Sequence, residues 1–105
     1  MALPKFFQIM NDETPGVYKA FFDMVSALQG EGGLDEKTFQ LVYIAIKATR
    51  GADGLGSVIA HTAMAKKAGA TREEVRGAIL VSLMTDGLQG VGSCLEAALE
   101  AYDNA

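Results

Sequence analysis

Residues 56 to 84 read as a helix, a tight break and a second helix, and this signature constrains the chain more than any other. Gly-Ser-Val-Ile-Ala-His-Thr-Ala-Met-Ala-Lys-Lys-Ala occupies 56 to 68, Gly69-Ala70 interrupts it, and Thr-Arg-Glu-Glu opens the next segment. Thr71 followed three residues later by Glu74 is the capping-box pattern, in which two side chains satisfy backbone N–H groups at a helix start. Lys66 and Lys67 fall in the last turn of the first helix, where the dipole favours cations. The only histidine, His61, sits in the middle of that helix. The one side chain that ordinarily titrates near neutral pH is therefore built into a helical hairpin.

The flanking segments carry the same period. Asp35 is placed to cap a helix whose stretch from Phe39 to Ala48, with Leu41, Val42, Tyr43, Ile44, Ala45 and Ile46, is apolar on most of its circumference. A helix of that kind is buried centrally or at a subunit interface. The body of the helix after Thr71, from Val75 to Met84, is apolar nearly all round as well. Two such helices in so short a chain predict a homo-oligomer. Nearer the N-terminus, Pro4 to Met10 forms a short helical turn, and Thr14 caps a helix with Pro15 at its first position and Gly30 as its stop. After Asp86-Gly87 a last helix places Leu88, Val91, Leu95, Ala98, Leu99 and Tyr102 on one face. No segment alternates as a strand would. The fold expected is all-α, about six helices, in one domain spanning 1–105.

Charge and cysteine usage exclude several classes. With 105 residues and a formal net charge of −4, and a pI near 4.8, the chain lacks the basic face that a phosphate backbone requires, so nucleic acid is not an expected partner. The start, Met-Ala-Leu-Pro-Lys-Phe-Phe, has no long apolar run of a leader, and no stretch has the length of a membrane span. A cytoplasmic protein is expected, with no membrane partner. The single cysteine, Cys94, allows neither an internal disulfide nor a Cys-X-X-Cys pair, and reads as a small buried hydrophobe.

Few residues can carry chemistry. His61 serves as a general base or acid if a pocket forms beside it, or as a hydrogen-bonded packing residue if none does. A lone imidazole without nearby Cys, His or clustered carboxylates does not make a zinc site, so no metal is expected, and no cofactor pattern is present. Asp53 and Asp86 lie in glycine-flanked turns bounding the hairpin, from which either is able to orient the imidazole. Ser57, four residues before His61, shares its helical face, but without an oriented third group it is a poor nucleophile.

Leu-Asp-Glu-Lys-Thr-Phe-Gln-Leu at 34 to 41, Ala-His-Thr-Ala-Met-Ala-Lys-Lys-Ala-Gly-Ala-Thr-Arg-Glu-Glu-Val at 60 to 75 and the apolar helix ending at Met84 together resemble the carboxymuconolactone decarboxylase-like proteins, which include alkyl hydroperoxidase D. The resemblance spans about Asp12 to Tyr102 and implies an all-helical, AhpD-like domain assembling as a trimer or hexamer with sites near subunit contacts. The redox branch carries Cys-X-X-Cys with a histidine four residues after the second cysteine and a relay glutamate in the preceding helix. Those positions are Gly54, Ser57 and Gln40 here, the last requiring two extra residues in the Gly51 to Gly56 turn. Both thiols and that acid are replaced, and only His61 carries over.

The decarboxylase branch is similar in lacking the pair and keeping the histidine. The resemblance then implies His-assisted proton transfer or decarboxylation of a small lactone or keto acid; His61, with Ser57 on its helical face, Gln40 at the relay position and Asp86 in the bounding turn, makes the candidate site. An acidic substrate would need a cation, and Arg50 and Arg76 are the candidates. The alternative is a catalytically degenerate oligomeric binding or scaffold protein; a hydroperoxide-reducing component is disfavoured by the missing thiols.

Overall fold

A computed structural model describes residues 3–105; the first two residues of the segment read as free of a leader, and of the 1–105 domain, lie outside it. Among the described residues the chain is helical throughout and contains no strand. The elements are α1 (Lys5–Glu13), α2 (Pro15–Glu31), α3 (Glu36–Ala48), a 3-10 turn (Gly51–Gly54), α4 (Leu55–Lys67), α5 (Arg72–Leu80), the single-turn α6 (Leu83–Asp86) and α7 (Leu88–Asn104). The six longer helices are those expected from the caps and the apolar period. They fall into two compact units, residues 3–34 and 35–105.

In the first unit α1 and α2 pack through aromatic rings: Phe7 meets Phe21 and Phe22 at centroid distances of 5.7 and 5.2 Å. Two expectations need correcting here. Thr14 precedes α2, but its hydroxyl donates backward to the Met10 carbonyl at 3.0 Å and makes no cap to α2. Gly30 does not stop α2, which continues to Glu31. The left-handed conformation that ends the segment falls at Gly33, with φ of 90°.

The second unit holds the core. Asp35 caps α3 by accepting from the Thr38 N–H at 2.7 Å, and Thr38, through its side chain first and its backbone second, holds the Asp35 carboxyl below the usual range. The Thr71–Glu74 capping box is formed, with Glu74 N–H donating to Thr71 Oγ1 at 3.1 Å and Thr71 N–H to Glu74 Oε1 at 2.9 Å. The break before it is Gly69, at φ of 98°. α3 packs on α4 and α5, and α7 packs on α4 and α5. Ile44, Val58, Ala65, Val75, Ile79, Cys94 and Ala98 are fully buried between them. Cys94 is thus the buried thiol expected, its Sγ directed at the Gly51 carbonyl, and burial pushes it above its usual pKa.

The apolar stretch 75–84 is not one helix. α5 ends at Leu80 because Ser82 turns inward: its N–H and its hydroxyl both donate to the Ile79 carbonyl, at 3.0 and 2.7 Å. Met84 N–H and Thr85 N–H then bond three residues back, tightening the chain into turns before α6. Opposite Ser82, Gly90 of α7 approaches so closely that a Cβ there would collide with the Ala48 carbonyl oxygen and lie 2.8 Å from Ser82 Oγ. The hydroxyl and the missing side chain are two halves of one contact.

Candidate functional site

The adjacent faces of α3 and α4 bring together three polar side chains in series. Gln40, on the inner face of α3 and 2% exposed, has its Oε1 2.6 Å from His61 Nδ1. Its Nε2 donates to Glu36 Oε1, one turn earlier on the same helix, at 2.9 Å. The carboxylate fixes the sense of the chain. Glu36 is an acceptor only, so it takes the NH2 end of the amide; a flipped Gln40 would set oxygen against oxygen. The amide oxygen is then left for His61, which must donate through Nδ1–H. Nε2 consequently carries the lone pair.

No buried side-chain nitrogen or oxygen among the described residues lacks a hydrogen-bond partner. Nε2 is in none of the hydrogen bonds around His61, so it is reachable by solvent. The imidazole itself is half-buried and stacked on Tyr43, with ring centroids 3.6 Å apart and planes inclined by 19°, a pairing of about 0.5–1.5 kcal/mol beyond area burial. Desolvation lowers the His61 pKa below its usual 6.5, the Lys47 ammonium lowers it further, and the Glu36 carboxylate opposes both. The ring is accordingly a neutral base at neutral pH, with a carboxylate wired to its far side. Glu36 also lines, with Met64, Lys67 and Ala68, an open depression of about 340 Å³.

Of the residues singled out in the sequence, the fold unites His61 with Gln40. Ser57 lies half-buried one turn before His61 on α4, Asp86 is exposed at the end of α6, and Asp53 is exposed in the 3-10 turn. Among the described residues none of the three bonds to the imidazole; Gln40 orients it. Arg50 and Arg76 are exposed and unpaired there. Glu36, Tyr43 and Lys47 escaped the sequence reading. The signal available was their spacing, since 36, 40, 43 and 47 form one stripe of α3.

Of the two positions that the motif register assigns to the thiols of the redox branch, Gly54 is closed as well as substituted. A Cβ on Gly54 would run into the Lys47 carbonyl oxygen, so no side chain fits there without moving the end of α3. No group of three or more His, Cys, Asp or Glu side chains able to hold a metal ion occurs among the described residues. No described helix is long and apolar enough to cross a membrane.

No curated protein and no solved structure gives a significant match to the chain. The Carboxymuconolactone decarboxylase family matches residues 15–100, from the start of α2 to near the end of α7. With most of its length so matched, the chain belongs to the carboxymuconolactone decarboxylase family.

Proposed function

We propose that this protein is a small proton-transfer enzyme of the carboxymuconolactone decarboxylase type, acting on a lactone or keto acid with His61 Nε2 as the group that takes and returns the proton. The observation that carries this reading is the Glu36–Gln40–His61 series, which orients an imidazole of lowered pKa with its lone pair toward solvent. Nε2 accepts a proton from carbon next to a carbonyl, and the C–H electron pair passes into the carbonyl as an enolate. The imidazolium formed is stabilised through Gln40 by the Glu36 charge and gives the proton back at carbon. In a decarboxylation the bond to the carboxylate carbon breaks instead, its pair forms the same enolate, carbon dioxide leaves, and imidazolium protonated from solvent supplies the proton. The acid that the redox branch keeps at position 40 is, on this reading, replaced by an acid one turn earlier acting through an amide.

A scaffold role is the second reading, favoured by one feature: Val42 and Ile46 on α3, and Val81, Met84 and Leu88 around α6, remain 43%, 59%, 58%, 87% and 76% exposed. Apolar surface of this kind supports homo-oligomeric assembly, in three or six copies if the resemblance holds, and a cytoplasmic setting is part of the same proposal. Light scattering giving a stable monomer at micromolar concentration counts against assembly.

The enzymatic reading is tested by His61→Gln and His61→Ala, screened on small lactones and β-keto acids alongside thermal melts. Catalysis predicts that His61→Gln keeps the melting temperature and loses turnover. His61→Ala also costs about 1–3 kcal/mol, from the orphaned Gln40 oxygen and the lost stacking. Destabilisation with unchanged turnover removes His61 from catalysis.

A further inference from the structure

The stripe on α3 ends in a cation that the proton-transfer chemistry has not used. Lys47 Nζ lies over the Tyr43 ring, 5.8 Å from its centroid, and Tyr43 is the ring stacked on His61. Lys19, Lys37 and Arg72 each have a carboxylate partner and half-buried Lys66 donates to the Tyr102 and Ala105 carbonyls, whereas half-buried Lys47 has neither an ionic nor a hydrogen-bonding partner among the described residues. An ammonium partly withdrawn from water against an aromatic face, with no counter-ion, sits in a setting that favours an anion. Glu36 and Lys47 also stand at opposite ends of the stripe, which places the relay acid away from the cation it would otherwise neutralise.

We propose that Lys47 is the anchor for the substrate's carboxylate, holding a small organic anion beside the Tyr43–His61 stack so that its carbonyl end reaches His61 Nε2. The proposal rests on the proton-transfer reading and adds the ligand class to it. One ammonium beside a neutral imidazole matches a single carboxylate better than a phosphate dianion. The anchored carboxylate is one that survives the reaction, because an ion pair with the leaving group would stabilise the ground state and slow its loss. Anchoring also activates the base. The Lys47 charge disfavours the imidazolium, so a bound carboxylate that neutralises it raises the basicity of His61 when substrate is present. The charged or titratable groups facing the ring are Glu36, Tyr43 and Lys47; of the two charged ones Glu36 is bonded to Gln40 and Lys47 has no partner.

The test uses levulinate as the probe, methyl levulinate as its uncharged control, and the His61 ring proton resonance, which is unambiguous because the chain has one histidine. In the wild type, levulinate should shift that resonance saturably and raise the His61 pKa, and the ester should do neither. Lys47→Met should weaken levulinate binding about tenfold or more while Lys47→Arg retains it; Lys47→Gln replaces the Met variant if circular dichroism shows lost helix. Equal affinity in Lys47→Met and wild type, equal binding of the ester, or no saturable shift in the wild type at tens of millimolar overturns the proposal. His61→Gln separates this from the catalytic reading. Levulinate should still bind it by ligand-observed saturation transfer, so turnover surviving in that variant would sink the proton-transfer role and leave the anchor standing.

Discussion

Residues 3–34 and residues 35–105 draw on similar apolar side chains, yet only the second group buries any. α1 and α2 contain no buried residue, and Phe6, Val17, Met24 and Leu28 are each more than half exposed. In the second unit Ile44, Val58, Val75 and Ile79 are fully enclosed. The difference lies in the number of partners. Within its own unit α1 has only α2 and α2 only α1, while α3, α4, α5 and α7 each meet at least two others. An amphipathic stripe becomes a core only when covered from more than one side. The site follows the same logic, because a 2.6 Å bond between Gln40 and His61 requires two helices whose separation is already fixed.

The sharpest way to break that contrast is to truncate one side chain in each unit. Ile79→Ala should cost about 2–5 kcal/mol in urea unfolding, through lost transfer energy and a cavity. Met24→Ala, at 61% exposure, should stay within about 0.5 kcal/mol. A large loss from Met24→Ala would mean that α2 is covered in the native assembly and that the contrast belongs to the single chain alone.

The two threonines that precede helices sharpen the comparison at a smaller scale. Thr71→Ala removes a working cap and should cost about 1 kcal/mol. Thr14→Ala removes only an exposed hydroxyl bonded backward to Met10 and should cost clearly less, about half a kcal/mol or below. Equal losses in chemical denaturation would show that Thr14 caps α2 in solution.

The smallest effect is in pH. The His61 pKa is lowered in the fold, so the unfolded chain binds that proton more tightly. Above the unfolded value, about 6.5, both states are neutral and His61 leaves stability unchanged. As pH falls from there through the folded value, stability is lost, and below it the loss levels off. Melting temperatures taken from pH 7.5 downward should therefore decline slightly more in the wild type than in His61→Gln. A wild type that gained stability over this window would place the folded pKa above the unfolded one.

The caps were the most legible part of the chain. Asp35 and the Thr71–Glu74 pair act through residues three positions away, so sequence distance and spatial distance agree. Thr14 and Gly30 mislead for the opposite reason: Thr14 is able to bond forward or backward, and Gly33 lies three residues on to take the left-handed angle instead. The break within 75–84 is hidden in the sequence because apolar residues carry no mark of where Ser82 turns its hydroxyl inward. At the site, the motif register points to Gln40 and His61, and the fold bonds the two. Glu36 is invisible in the sequence because a Glu–Gln pair one turn apart occurs on any solvated helix, and nothing there sets Lys47 apart from Arg50 and Arg76, because charge alone does not reveal helix phase.

The central claim is that Glu36, through Gln40, fixes the proton of His61 on Nδ1 and leaves Nε2 as the base. Long-range proton–nitrogen correlation on uniformly labelled protein at neutral pH reads this directly from the single histidine. The account predicts a pyrrole-type shift for Nδ1 and a pyridine-type shift for Nε2, with the pattern losing definition in Glu36→Ala, where Gln40 is free to flip. A proton found on Nε2 in the wild type would contradict it.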